Sequence, residues 1–227
     1  MSAELTVVIM AYNEEVGLAP TVTTTLDFLT SKVEFEVLIV DDGSQDQTGP
    51  AADQLALSDP RVRVIHHQPN QGLGGVYRTG FAQARGEWLT FLPADGELPA
   101  TNLGPFLDRR HDYDLLLGTI PERKVSWLAH LLSFVERALY RLLFGYFPPF
   151  QGILMVRTRL LRELPLHSGG RGWGIIMELV LRVVRGGYRW TNVPTRLRPR
   201  LGGHSKVRNL ATMWANFKEL LKLRSLL

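Results

Sequence analysis

Three short runs place acids, amides and hydroxyls directly after apolar, β-branched segments. Tyr12-Asn13-Glu14 follows Leu5–Met10, Asp41-Asp42-Gly43-Ser44 follows Phe35–Val40, and Pro93-Ala94-Asp95-Gly96-Glu97 follows Trp88–Leu92. A carboxylate such as Asp42 can accept hydrogen bonds from a nucleobase or ribose, and Gly43 permits the tight turn beside it. Read locally, the same run is a strand-to-helix turn with Ser44 or Asp46 as helix cap. Asp95 and Glu97 are spaced to reach one hard divalent cation, Mg2+ or Mn2+, from an extended turn. Such a cation stabilises the charge that develops on a diphosphate leaving group. Without a metal the run is an ordinary acidic turn.

Two glycine-containing runs add chemistry of the opposite sign. Gln71-Gly72-Leu73-Gly74-Gly75 opens a helix with Arg78 one turn in, an entry that suits phosphate or close ligand approach. It lacks the Lys-Ser/Thr ending of a P-loop, so ATP hydrolysis is not expected. Arg198-Pro199-Arg200-Leu201-Gly202-Gly203-His204-Ser205-Lys206 is a basic loop able to bring Arg and Lys over a bound diphosphate. A nucleic-acid contact competes for that loop, but the aromatic residues expected of a single-strand binder are missing from it. His66 and His67 are adjacent and point to opposite faces of a strand, so both read as structural.

The elements that position these residues follow from periodicity. Leu5–Met10 reads as a first strand, Glu15–Leu29 as a helix, and Phe35–Val40 as a second strand followed by a helix from near Gln47. Val62–His66 is a third strand, Gly75–Ala84 a helix ending at Gly86, Trp88–Leu92 a fourth strand closed by Pro93, and Tyr113–Gly118 a fifth. Strands separated by helix-length segments imply right-handed β-α-β units, a mostly parallel sheet, and ligands beyond the carboxyl ends of its strands. The three polar runs stand at those ends and aim at one crevice.

The second half differs. Trp127, Leu128, Leu131, Leu132, Val135, Leu139, Leu142 and Leu143 recur at helical spacing, with Glu136, Arg137 and Arg141 among them. That helix packs in the core or lies in a membrane interface with its arginines among lipid phosphates. Ile175–Val184 is a second amphipathic helix. Leu210–Leu223 is a third, setting Met213, Trp214, Phe217, Leu220 and Leu221 against Lys218, Lys222 and Arg224.

The 227 residues, 45% of them hydrophobic, suit one large α/β domain. Absence of cysteine excludes a disulfide framework, a thiolate nucleophile and a Cys-based zinc site. The N-terminus lacks the basic and long apolar regions of a signal peptide. The longest charge-free stretch, Leu142 to Val156, holds Gly145, Pro148, Pro149 and Gly152 and is shorter than the roughly 20 residues a membrane-spanning helix needs. Net charge is +4, with acids concentrated early and Arg and Lys crowded after Arg109, which suits anionic lipid or phosphate-bearing substrates.

Taken in order, these runs resemble the dolichol-phosphate mannose synthase and polyprenyl-phosphate glycosyltransferase branch of the family 2 glycosyltransferases, over nearly the whole chain. Val8-Ile9-Met10-Ala11-Tyr12-Asn13-Glu14 is similar to the family's V-I-P-x-Y-N-E, Val40-Asp41-Asp42-Gly43-Ser44 to its V-D-D-x-S, and Gly72-Leu73-Gly74 to its G-x-G. The resemblance implies a GT-A-type (Rossmann-like) α/β fold, a mostly parallel sheet flanked by helices with C-terminal amphipathic helices. It implies one domain over residues 1–227, with a nucleotide-sugar-binding half (1–118) and an acceptor- and membrane-facing half (119–227). Met10, Tyr12, Glu14, Val40 and Asp42 would hold the nucleoside. Ala94, Asp95 and Glu97 would fall where D-x-D-x-Q binds Mg2+ or Mn2+ and diphosphate, with Asp95 and Glu97 as metal ligands. Arg200, Gly203, Ser205 and Lys206 match a late R-x-x-G-x-S-K, which implies phosphate contacts from Arg200 and Lys206 and makes these two, with Asp95, the catalytic set. Glu178 matches the acid of a G-x-x-x-x-E segment beginning at Gly174, and Ser133 a serine near the acceptor phosphate.

Some positions depart from the pattern. Pro93 replaces the first Asp of D-x-D, and Glu97 replaces its Gln. Gly174 stands where some relatives carry a phosphate-binding lysine, and Pro148-Pro149-Phe150-Gln151-Gly152 replaces a segment that contains an Asp. The implied reaction is inverting transfer of a sugar from a nucleotide-diphosphate donor, GDP-mannose or a UDP-hexose, to a polyprenyl phosphate. Its acceptor is already anionic and needs no strong general base. A sugar hydroxyl acceptor would need one, and Glu178 is then the candidate. The expected partners are donor, lipid acceptor and the cytoplasmic membrane face, bound peripherally or through a separate membrane protein, and not nucleic acid. An inactive nucleotide-sugar-binding module, suggested by Pro93, stays open.

Overall fold

The computed structural model describes residues 3–120, 141, 143–201 and 223–224. The sheet they form has seven strands: β1 (Leu5–Ala11), β2 (Phe35–Asp41), β3 (Val62–His66), β4 (Trp88–Pro93), β5 (Leu115–Thr119), β6 (Leu154–Arg157) and β7 (Trp190–Pro194), ordered β3-β2-β1-β4-β6-β5-β7. Strands β3, β2, β1 and β4 pair in parallel, β6 runs antiparallel between β4 and β5, and β7 is parallel to β5. The helices are α1 (Leu18–Leu29), α2 (Thr48–Ser58), α3 (Gly72–Gln83), α4 (Leu103–Arg109), α5 (Thr158–Glu163) and α6 (Gly174–Arg185).

Alternate residues of each strand face opposite layers, as the two-residue repeat of a pleated strand requires. Val7, Ile9, Val37, Ile39 and Trp88 pack with Leu18 and Val22 of α1 and Phe106 of α4. Val8, Leu38, Val40, Leu89 and Phe91 pack on the other face with Tyr77 of α3 and Ile176, Leu179 and Val183 of α6. Burial on both faces explains why these strands read as continuous apolar runs. The segment expected as an amphipathic helix, α6, is covered along most of its length, with nine of its 12 residues buried.

Register positions the site. Met10 is opposite Val40 on one side and Pro93 on the other, and Ala11 is opposite Asp41. The three polar runs therefore leave the sheet at one level. The order reverses at β1, because β2 lies on one side of it and β4 on the other. A crevice opens beyond the carboxyl ends at such a reversal.

The structure changes several boundaries. Helix α1 begins at Leu18 rather than Glu15 because residues 13–15 are tied to the next loop. The Asn13 and Glu14 amides donate to Ser44 Oγ (2.9 Å) and Thr48 Oγ1 (2.8 Å), and the Gln45 amide donates back to Asn13 Oδ1 (2.8 Å). Helix α3 begins at Gly72, ahead of the expected Gly75. Strands β6 and β7 were not expected; both pair across long sequence separations that local periodicity does not report. The helices expected over Trp127–Leu143 and Leu210–Leu223 lie outside the described residues, save Arg141, Leu143 and Leu223. Leu223 is buried against Phe144, Met177 and Leu181. No helix among the described residues is long and apolar enough to cross a membrane.

The amino end of the sheet is held by a buried carboxylate. Glu36 accepts hydrogen bonds from Thr6 Oγ1 (2.7 Å), Arg63 Nε (2.9 Å) and the Arg85 amide (3.0 Å), joining β1, β2, β3 and the approach to β4. Burial alone would raise its pKa, but these donors outweigh it and hold the carboxyl below the usual glutamate range. Glu36→Ala is expected to cost about 2–3 kcal/mol in chemical denaturation at neutral pH. A group with a depressed folded pKa stabilises fully above its unfolded pKa, roughly 4.3 for glutamate, and less as pH falls through the folded value. The difference between Glu36 and Glu36→Gln should therefore shrink as unfolding is measured at progressively more acid pH.

Candidate active site

The crevice has two connected parts. At the ends of β2 and β3 a cavity of about 370 Å³ is lined by Tyr12, Asp41, Ser44, His66, Pro69 and Asn70, among others. Asp41 accepts from the Ser44 amide (3.1 Å) and pairs with His66 Nδ1 (2.9 Å), while His66 Nε2 faces Asp53 (3.0 Å). The Asp41 bond raises the His66 pKa, with Asp53 adding to it and burial opposing. The two histidines expected to be structural both line this cavity. His66 ends a parallel strand beside β2, and that position was the available signal.

Asp42 sits differently from Asp41. It is buried, and its carboxylate receives His67 Nδ1 (2.7 Å) and the amides of Gln71 (2.8 Å) and Gly72 (2.9 Å). It anchors the turn into α3, and Asp41 is the acid that lines the cavity. Val40 is fully buried in the α3–α6 layer and Met10 packs against the same layer, leaving their backbones as the parts that can meet a ligand. Tyr12 is exposed at the cavity rim.

The glycine-rich turn does not present an open helix N-terminus. A Cβ on Gly74 would meet the Gly170 carbonyl at 2.2 Å, and one on Gly72 the Arg171 carbonyl at 2.7 Å. These glycines admit the backbone of the 170–172 loop, and the Gly74 amide donates to the Arg171 carbonyl (2.8 Å). The expected phosphate position is filled by protein.

Two residues beyond Tyr12, Glu14 leads into the acidic part. The Arg200 guanidinium lies 2.7 Å from Asp95 Oδ2, 3.3 Å from Glu97 Oε1 and 3.7 Å from Glu14 Oε1. Burial pushes the Asp95 carboxyl up, assisted by the charge of Glu97 and opposed by the Glu97 amide and Arg200. Ala94 is buried beneath, and its carbonyl accepts from Thr21 Oγ1 (3.1 Å). Among the described residues no three His, Asp or Glu side chains are gathered closely enough to form a ready cage for a metal. The donor set is nonetheless all carboxylate oxygen, and Mg2+ is commonly held by one or two carboxylates with substrate phosphates and water. Asp95 and Glu97 fit that requirement. Ser133, Gly203, Ser205 and Lys206 lie outside the described residues.

Glu178 has a structural task. It is fully buried and accepts from the His167 (2.9 Å) and Ser168 (2.7 Å) amides and from Arg182 (2.9 Å). Burial would raise its carboxyl, but donors from Ser168, Arg182 and His167 outweigh that and hold it low. A carboxylate so engaged anchors the loop that crosses α3 and is not placed to take a proton from an acceptor.

The chain is similar to known proteins over most of its length. The family model for glycosyl transferase family 2 matches residues 6–148. The chain belongs to that family. It is 32% identical over 211 residues to an undecaprenyl-phosphate mannosyltransferase of Micrococcus luteus, covering 88% of this chain and 86% of that protein. It is 32% identical over 225 residues to a polyprenol monophosphomannose synthase of Mycolicibacterium smegmatis, covering 93% of this chain and 84% of the other. Among solved structures, glucosyl-3-phosphoglycerate synthase from Mycobacterium tuberculosis, in complex with Mg2+ and UDP, superposes with a TM-score of 0.73. That pair shares 18% identity over 98% of this chain and 80% of the other, a likeness of fold. The fold is of the GT-A type that the sequence resemblance implied.

If Glu178 is the loop anchor, Glu178→Gln turns an amide NH2 toward a donor and should cost about 2 kcal/mol of stability. Amide exchange at His167 and Ser168 should quicken in the variant. A kcat loss with unchanged stability and exchange would instead identify Glu178 as a proton acceptor.

Proposed function

We propose that the chain transfers a sugar, with inversion, from a nucleotide-diphosphate donor to a polyprenyl phosphate at the inner face of the membrane. The observation that carries this reading is the Arg200 guanidinium set among Glu14, Asp95 and Glu97, next to the cavity at β2 and β3. Tyr12 and Glu14 lie on one short loop, so a nucleoside in the cavity directs its diphosphate toward Asp95, Glu97 and Arg200. Relatives named for undecaprenyl-phosphate and polyprenol substrates support the acceptor class.

In the proposed reaction an acceptor phosphate oxygen bonds to the anomeric carbon as the bond to the donor diphosphate breaks. Mg2+ or Mn2+, when bound, supplies a Lewis acid for the departing diphosphate. Asp95 and Glu97 would hold that ion, and Arg200, with Lys206, would neutralise phosphate charge by charge-assisted hydrogen bonds. Asp41, His66 and Tyr12 surround the nucleoside. No residue need remove a proton from the acceptor, which agrees with the engagement of Glu178. A saccharide hydroxyl acceptor would need such a base. Exposed Leu197 and Leu201 supply apolar surface beyond the carboxyl edge for contact with lipid.

The test supplies the purified chain with labelled GDP-mannose or UDP-glucose, Mn2+ and undecaprenyl or dolichyl phosphate in detergent. Label should pass into an organic-extractable lipid product, and Asp95→Ala should lower kcat about 100-fold or more. Transfer to soluble saccharides with none to either lipid phosphate would overturn the acceptor assignment.

A further inference from the structure

Arg200 occupies the space that the proposed function gives to a divalent cation. Its three guanidinium nitrogens face three carboxylates contributed from different parts of the crevice: Glu14 after β1, and Asp95 and Glu97 after β4. The Arg200 side chain is 20% exposed, and Asp95 and Glu14 are 8% and 12% exposed, so solvent screens those two contacts weakly, whereas Glu97, at 41%, lies at the wet edge. Its backbone is fastened to the same turn. The Leu201 amide donates to the Asp95 carbonyl (3.0 Å) and the Arg198 amide to the Glu97 carbonyl (2.8 Å). Gly96, at φ +74°, makes room for Leu201, whose Cδ1 would lie 2.6 Å from an added Cβ. The basic loop is thus seated directly on the acidic turn.

We propose that Arg200 is a resident counter-cation of the donor-free site, which a divalent ion must displace, and that the displaced side chain turns its charge to the incoming diphosphate. This inference rests on the assignment of Asp95 and Glu97 to the metal. Asp95 is buried and Glu14 mostly so, and carboxylates clustered in such a setting are costly without a cationic partner. A guanidinium meets that need with one charge and a planar set of donors, and a divalent ion meets it with two charges. Both cannot occupy the space between Asp95 and Glu97, because like charges a few ångströms apart repel. Cation binding and the seating of the 198–201 loop are therefore coupled. A metal arriving with a nucleoside diphosphate brings the phosphate oxygens that receive the displaced arginine. A metal arriving alone does not. The device favours joint entry of metal and donor and keeps the carboxylates neutralised between turnovers.

The test is direct titration of Mn2+ into the nucleotide-free chain, following free Mn2+ by electron paramagnetic resonance. Arg200→Ala and the bulkier neutral Arg200→Gln are compared with wild type, each checked for native circular dichroism. Arg198→Ala, which removes a neighbouring exposed charge, is the control. Both Arg200 variants should bind Mn2+ about tenfold more tightly than wild type, in keeping with couplings typical between linked sites. Arg198→Ala should stay within about twofold of wild type, as expected for a screened surface charge. Unchanged or weaker Mn2+ binding in the Arg200 variants would overturn the proposal. An equal gain in Arg198→Ala would also overturn it, by reducing the effect to general charge. Binding of GDP and UDP is measured in parallel without metal. Nucleotide binding with no Mn2+ binding by any chain overturns the counter-cation role and leaves the donor site standing, whereas no nucleotide binding at all removes the functional reading itself.

Discussion

Met10 is opposite Val40 on one flank and Pro93 on the other, so strands β1, β2 and β4 leave the sheet at a common level. Most of the chemistry rests on that register. A shift of one residue in β4 would exchange the side chains of its two buried faces and move Asp95 away from Glu14. The register is secured from the opposite end, where Glu36 links three strands, and from within, where both faces are buried. The loops above can therefore be polar and irregular while their side chains still converge.

Acidic side chains serve two distinct ends in this molecule. Glu36, Asp42 and Glu178 accept from two or more donors each, including backbone amides that would otherwise be unsatisfied. Such groups determine where loops lie, and removing one strands its partners in a dry setting. Asp95, Glu97 and Glu14 share a single cationic side chain carried on a loop. That arrangement is replaceable, because one cation can be exchanged for another. The contrast between fixed donors and an exchangeable partner separates scaffold from site more sharply than residue type does.

The scaffold also ties the crevice to the loop held by α6. Asp42 anchors Gln71 and Gly72, the glycines of that turn admit the 170–172 loop, and Glu178 anchors the same loop at His167 and Ser168. Arg171 closes the circuit through Asn70, which lines the cavity at the ends of β2 and β3. The β2–β3 end of the crevice and the loop held by α6 are thus parts of one hydrogen-bonded assembly.

The alternation of apolar runs with helix-length segments was sufficient to read a parallel sheet and to place the three polar runs at its carboxyl edge. Ordered motifs then identified the family, because Tyr12-Asn13-Glu14, Asp41-Asp42 and Arg200 each recur in a set order. What periodicity could not report is pairing between distant segments. The antiparallel β6 and the edge strand β7 depend on partners, β4 and β5, far away in the chain. Nor could it assign tasks to chemically identical groups. Asp41 and Asp42 are neighbours, yet one lines a cavity and the other anchors a turn, because successive strand-end residues face opposite sides. Glu178 reads as a possible base in sequence and is an anchor in space, since only the fold brings the His167 and Ser168 amides to it. Local sequence determined which elements form and where polar groups gather. The tertiary structure decided which of those groups are engaged by the protein itself, because a carboxylate's role depends on the donors packed around it.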